Sequence, residues 1–277
     1  MVLTMLLLGV LYVVFIGVLA FFFDSLLLIA VVMGLFSLGQ FFFSDTLALR
    51  SMGAREVDEE EYPALHATVG RLAQQADLPK PTVAVADSST PNAFAAGRSQ
   101  SSSTVCVTTG IMDALDDEEL EGVIAHELAH IKNRDVMVMT IASFLSTIAF
   151  LIVRWGWLFG GGRSRNNAPV IVAILVSIVV WVVSFLLIRA LSRYREFSAD
   201  RGGALITGKP SALASALLRI SGEMDKVPEK DLREQAEMNA FFIIPISKGF
   251  VGSLARTHPA TEKRVDRLRE LEREMET

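Results

Sequence analysis

The segment Asp117–Lys132 reads DEELEGVIAHELAHIK. Leu120, Val123, Ile124, Leu128 and Ile131 recur at helical spacing, which predicts an amphipathic helix over Asp117–Asp135. On that helix His126 and His130 stand at i and i+4, so both imidazoles can reach one ion. Zinc takes nitrogen and oxygen ligands of this kind, and a catalytic zinc keeps one position for water. The ion brings the pKa of that water toward about 7. Glu127 flanks the pair, where a carboxylate can accept the water's proton and later deliver it to a leaving amine.

A third ligand is needed. In Glu196-Phe197-Ser198-Ala199-Asp200, the two carboxylates again stand at i and i+4. An acidic pair alone is weak evidence, since most such pairs make a solvated face, but its position strengthens the case. It follows an apolar block by about two helical turns, and His130 precedes another by one to two. Both segments should therefore rise roughly 10–15 Å above a membrane surface. Glu196 is the expected third ligand, and Asp200 the expected acceptor for the distal nitrogen of a ligand histidine, His126 by preference.

The rest of the chain is unusually apolar. Of 277 residues 51% are hydrophobic, and mean hydropathy is +0.42. Four blocks, Val2–Phe23, Leu26–Phe43, Val136–Val153 and Ala168–Ile188, lack internal charge except at their junctions and reach spanning length. The first has no basic leader and a second block follows at once, so a retained hairpin is expected rather than a signal peptide. Basic residues near the spans favour one side: Arg50, Arg55, Lys132, Arg134, Arg189, Arg193 and Arg195, against Arg154, Arg163 and Arg165. That majority side is expected to be cytoplasmic. Trp155, Trp157 and Trp181 fall at or near span ends, where indoles favour the interface. A single cysteine, Cys106, excludes an intrachain disulfide, and a net charge of −5 offers no basic footprint for nucleic acid.

The expected organisation is a transmembrane hairpin (1–47), the first part of a catalytic domain (48–135), a second hairpin (136–189) and the second part of that domain (190–277). Tyr62–Ala76 is predicted as a helix, with Leu65, Val69 and Leu72 along one stripe. Thr82–Ala86 and Thr104–Thr108 are predicted strands, Asn92–Ala95 a short extended segment, and Gly97–Ser103 a polar turn. Gly110 is expected to break the chain before the histidine helix. Ser192–Leu205 should continue the fourth span, with further helices over Ser211–Ile220 and Thr261–Met275. Met224–Glu237 reads as exposed and Phe241–Ile246 as core, groove or lipid contact. The fold class is α+β and predominantly helical: four transmembrane helices with a zincin-like (gluzincin) catalytic domain and a small sheet.

HELAH at 126–130, EFSAD at 196–200, Asn92-Ala93-Phe94-Ala95 and Thr257-His258-Pro259 stand in an order that resembles the HtpX-type membrane zinc metalloproteases, relatives of the CAAX prenyl endopeptidases. The resemblance covers nearly the whole chain, with Ala260 where relatives often carry a second proline. It implies one zinc per chain on His126, His130 and Glu196, with Glu127 catalytic. It also implies cleavage of damaged or misassembled membrane proteins as a quality-control and stress function. Polypeptide and lipid bilayer are then the partners, and nucleic acid is not. On this reading His258 is a catalytic donor to the oxyanion, against a packing role before the last helix. Arg264 is a second candidate for that neighbourhood. Asn92, Ala93, Phe94 and Ala95 are the expected substrate-binding edge, by strand addition. His66 reads as structural.

Three other readings compete. A protease cutting inside the bilayer would carry its metal motif within an apolar span, whereas Asp116–Glu121 and Lys132–Asp135 flank this one with charge. A prenyl-protein endopeptidase would use the same chemistry but more spans. A non-catalytic scaffold would have no need of Glu127 together with three ligands.

Overall fold

The computed structural model describes residues 2–22, 48–159, 168–224 and 259–277, with isolated positions between 34 and 46. Its elements in chain order are α1 (Val2–Phe22), β1 (Ala54–Glu56), α2 (Pro63–Gln75), β2 (Thr82–Ala86), β3 (Ala93–Gly97), β4 (Ser103–Thr108), α3 (Thr109–Ala114), α4 (Asp117–Lys132), α5 (Asp135–Phe159), α6 (Ala168–Thr207), α7 (Pro210–Met224) and α8 (Thr261–Met275). The chain divides into two compact units. One comprises Met1–Phe42 and Val138–Ser192, the other Phe43–Met137 and Arg193–Thr277.

The first unit is helical and inverted relative to a water-soluble core. Leu8, Tyr12, Phe15, Ala142, Ala149 and Val180 pack together inside it. The Tyr12 hydroxyl donates to the Ala142 carbonyl at 2.6 Å, so α1 and α5 are joined by a polar contact as well as by packing. Outward-facing positions are as apolar as the inside: Leu3, Val13, Leu175 and Val179 are exposed. An apolar surface of this kind marks contact with lipid or another apolar partner. Among the described residues one helix, Ile171–Thr207, is long and apolar enough to cross a membrane by length and composition. Leu3–Gly17 and Asp135–Phe150 are shorter apolar helices. The expected second span, Leu26–Phe43, lies almost wholly outside the described residues.

The second unit is built on a four-stranded sheet of order β1-β2-β4-β3. β2 and β4 are parallel, and both edge strands run antiparallel to their neighbours. Alternation sorts the two faces. Val83, Val85, Val105 and Val107 join a core with Leu72 of α2, Ile124 and Leu128 of α4, Leu217 of α7 and Leu268 of α8. Ala84, Ala86, Phe94, Ala96 and Cys106 form the opposite face, covered by Ala48, Leu49 and Met52. Burial pushes the Cys106 thiol up to about 12, which leaves it unreactive as a thiolate.

Several sequence expectations are corrected. The histidine helix stops at Lys132, because Arg134 adopts φ 55° and turns the chain before α5 starts at Asp135. Gly110 lies inside α3 and does not break it. Its N–H donates to the Ser88 carbonyl at 2.8 Å, and a Cβ there would sit 2.3 Å from the Ser89 carbonyl oxygen. Asn92 precedes β3 and is wholly buried, and Gly97 closes that strand instead of opening the turn. β1 had no legible signal in its three residues. The segments Met224–Glu237 (beyond Met224) and Phe241–Ile246 lie outside the described residues.

α4 starts from a capping box: Glu119 N–H donates to Asp116 Oδ1 at 2.9 Å, and Asp116 N–H to Glu119 Oε2 at 3.1 Å. The same buried carboxylate accepts from Ser215 Oγ at 2.5 Å and pairs with Arg219 Nε at 3.2 Å, both on α7. Replacing it strips a cap and two tertiary contacts at once. Glu119→Ala should cost about 1–3 kcal/mol, read as a lower melting temperature of the detergent-purified protein. A melting temperature equal to wild type would show that this anchor contributes nothing.

Candidate metal and active site

The site depends on how closely α4 and α6 approach. Ala125, His126 and Ala129 on α4 face Gly202 and Gly203 on α6, and apart from the half-buried Gly202 all are buried. A Cβ on Gly203 would lie 2.8 Å from His126 N and 2.9 Å from its Cα, and one on Gly202 would lie 2.7 Å from Ala129 Cβ. Glycine inside a helix costs about 1 kcal/mol relative to alanine, so two in succession need a packing reason, and this crossing supplies it. Glu196, Asp200 and Gly203 share a face of α6 at i, i+4 and i+7, so the glycine contact presents both carboxylates to the histidines.

The four groups converge as the spacing predicts. His126 Nε2 and His130 Nε2 are 3.1 Å apart. Glu196 Oε2 lies 3.7 Å from His126 Nε2, and Glu196 Oε1 lies 3.7 Å from His130 Nε2. The donor atoms of the three residues all fall within 4.8 Å of one another. Zinc bonds of about 2.0–2.1 Å in a tetrahedron place ligand atoms roughly 3.3 Å apart, so the two histidines and one carboxylate fit a single zinc with little adjustment. The imidazoles meet edge to face, centroids 4.7 Å apart.

Behind His126 lies Asp200, its Oδ1 3.0 Å from Nδ1. Asp200 in turn receives Arg264 from α8 through both fork nitrogens, Nε at 2.9 Å and Nη2 at 2.6 Å. Arg264 is almost completely buried and reaches to 3.5 Å from His126 Nε2 and 3.9 Å from Glu196 Oε2. Burial would raise the Asp200 carboxyl's pKa, but the Arg264 charge and His126 hold it below the ordinary range. Burial likewise opposes a charge on His126, yet Asp200 and Glu196 hold its pKa up at about 9. Carboxylates that favour a proton on this imidazole also favour a metal cation beside it.

His130 has a matching partner that spacing analysis missed. Its Nδ1 is 2.5 Å from Asp135 Oδ2, and the same oxygen is 3.2 Å from Arg195 Nε. In the sequence both read only as charges flanking apolar blocks. An aspartate five residues after the second histidine is a usable signal only once the helix is known to end at Lys132.

Glu127, buried beside the histidines, accepts the Ala95 N–H on Oε2 at 2.9 Å. β3 is the sheet's edge, and Asn92 O accepts from Thr108 N–H on β4. Backbone groups alternate in direction, so Phe94 and Ala96 bond toward β4 while Ala93, Ala95 and Gly97 point away from it. These outward groups line a groove with His126, Glu127 and Glu196. Of the expected edge residues, Ala93, Phe94 and Ala95 stand in the strand and Asn92 does not. His258 lies outside the described residues. His66 contacts the Val57 carbonyl at 2.9 Å, away from the groove.

Comparison with known proteins agrees with this architecture. The model of peptidase family M48 matches residues 59–272. The chain belongs to peptidase family M48. This M48 peptidase is 53% identical to "Protease HtpX homolog 2" of Methanosarcina mazei, over 99% of its own length and 95% of that protein's. It is 51% identical to "Protease HtpX homolog" of Moorella thermoacetica, over 100% and 94%. Both place it with the HtpX-type proteases. Among solved structures it resembles S. mikatae Ste24p, with a TM-score of 0.56 at 18% identity, over 94% of this chain and 62% of that one. That likeness is one of fold.

The helix crossing makes a direct prediction for this M48 peptidase. Gly203→Ala forces a methyl against backbone atoms that cannot yield locally. It should destabilise the protein by about 1–3 kcal/mol and weaken metal retention, measured by thermal unfolding and by metal content after dialysis. Unchanged values for both would mean that the helices can separate freely at this point.

Proposed function

We propose that the chain is a membrane-integrated zinc-dependent endopeptidase that cleaves misfolded or damaged membrane proteins on the cytosolic side. The observation that carries the reading is the triangle of His126 Nε2, His130 Nε2 and the Glu196 carboxylate, in a groove that also holds Glu127. His126, His130 and Glu196 would hold one zinc, which when bound lowers the pKa of water into the neutral range and polarises a carbonyl. Glu127 takes a proton from the attacking water and passes it to the leaving amine, in the role of general base and then acid. The Ala95 N–H holds that carboxylate in place.

Substrate recognition follows from the edge strand. The outward N–H and C=O groups of Ala93 and Gly97, together with the Ala95 carbonyl, can pair with an extended peptide, main chain to main chain. Such pairing asks little of side chains but requires an unfolded segment, which suits a damaged protein better than a folded one. The apolar outer surface of α1 and α6 supports residence in a bilayer, with the excess of arginine and lysine near the catalytic segments toward the cytosol.

The decisive experiment compares wild type with Glu127→Ala on an unfolded casein substrate, with zinc quantified in each. Wild type should cleave, the variant should be slower by about 100- to 10,000-fold, and both should hold one zinc. Chelation should abolish cleavage, and added zinc should restore it. Equal cleavage by both proteins would remove Glu127 from the chemistry, and absence of zinc from both would remove the ligand assignment. Orientation is testable separately because the one native cysteine, Cys106, is buried. A Lys263→Cys variant should react with an impermeant maleimide only in inside-out vesicles. Labelling on intact cells would reverse the orientation.

A further inference from the structure

We propose that Asp135, held by Arg195, is the positioning residue for His130. It would fix which nitrogen of that ring is offered to the metal, and so set metal affinity on the groove side of the site. This rests on the reading of His126, His130 and Glu196 as a zinc centre.

The case begins with backbone geometry. α4 and α5 are joined by two residues, Asn133 and Arg134. Asn133 N–H donates to the Ala129 carbonyl at 2.9 Å and Arg134 N–H to the Ile131 carbonyl at 3.1 Å, closing the helix end. Arg134 then takes φ 55°, a left-handed conformation that costs a residue with a side chain about 1–2 kcal/mol. Strain of this size persists where surrounding structure demands it. Its effect here is to turn the chain between the two helices and bring Asp135 to His130. A longer, relaxed connection would carry Asp135 away from the ring.

Side-chain geometry completes the argument. The Asp135 side chain is 6% exposed, and its Oδ2 stands between His130 Nδ1 at 2.5 Å and Arg195 Nε at 3.2 Å. A carboxylate can only accept from the imidazole, so Nδ1 carries the proton and Nε2, 3.7 Å from Glu196 Oε1, keeps its lone pair for the metal. The need is greater at His130 than at His126. The His126 ring is 1% exposed and enclosed by packing, whereas the His130 side chain is 12% exposed at the groove. A less enclosed ring relies more on its hydrogen bond to stay aligned. Arg195 sets a positive charge 3.2 Å from the Asp135 oxygen that meets His130, where Arg264 grips both oxygens of Asp200. The two ligand histidines thus carry parallel supports, each an aspartate backed by an arginine.

The test is zinc affinity of the full-length protein in detergent, measured by chelator competition, for wild type, Asp135→Ala, Asp135→Asn and Arg195→Gln. Loss of a carboxylate behind a ligand histidine typically costs 10- to 100-fold in metal affinity, and Asp135→Ala should fall in that range. Asp135→Asn keeps an acceptor but loses the charge assistance, so its affinity should lie between Ala and wild type. Arg195→Gln should show a smaller loss than Asp135→Ala. A merely structural role would lower the melting temperature of every variant without this graded order in zinc affinity. If Asp135→Ala does not fold, Asp135→Asn decides: several-fold weaker zinc supports the assignment, and wild-type affinity overturns it. Wild-type affinity in both Asp135 variants also overturns it. Failure of wild type itself to bind one zinc would instead overturn the reading of the centre.

Discussion

The contact between Gly203 and the backbone of His126 governs the catalytic unit. Two helices far apart in sequence come close enough for a carboxylate on one to share a cation site with imidazoles on the other, because α6 has no side chain at the crossing. The contact is steric, so it is short-ranged and unforgiving. Around it the charged groups order themselves: Asp200 and Arg264 behind one histidine, Asp135 and Arg195 behind the other. Buried charges of this number are tolerable only when each has a partner. The arginine on α8 explains why a helix near the C-terminus belongs to a site whose named motifs lie elsewhere.

The sheet contributes less to the ligands than to what approaches them. β3 is the only strand that touches Glu127 among the described contacts, and it is an edge. An exposed edge is ordinarily a hazard, because it can recruit any extended chain. Here that property would suit a protease whose substrates share a conformational state and not a sequence. The hydrogen bond from Ala95 to Glu127 joins the edge strand and the carboxylate beside the histidines within one residue.

Much of this was legible in the sequence. HELAH lies on a helix with a clear apolar stripe, and the i, i+4 logic transfers directly to Glu196 and Asp200. Thr82–Ala86 and the strand ending at Thr108 alternate clearly, and Thr261–Met275 was bounded as it stands. Other features were hidden for physical reasons. β1 has three residues and is defined by its partner β2, not by its own composition. Gly110 looks like a helix breaker until the neighbour that forbids a Cβ is known, and Gly203, inside the expected helix, carries no sign of the crossing it permits. Asp135 and Arg195 carry no local signal because their relation depends on the left-handed turn at Arg134. Arg264 reads in the sequence only as a candidate for the oxyanion neighbourhood. Its two-pronged grip on Asp200 depends on where α8 packs.

Glu196, Asp200 and Gly203 act together because they fall on one face of an unbroken helix. Each added residue turns an α-helix by about 100° and advances it by about 1.5 Å. A single insertion between Glu196 and Gly203 would therefore swing one of the three out of the site while leaving the composition almost intact. The outward positions between them, such as the exposed Arg201, face no such constraint. Drift in this stretch is thus free in identity at some positions and forbidden in length at all of them, so relatives that keep the site should align here without gaps.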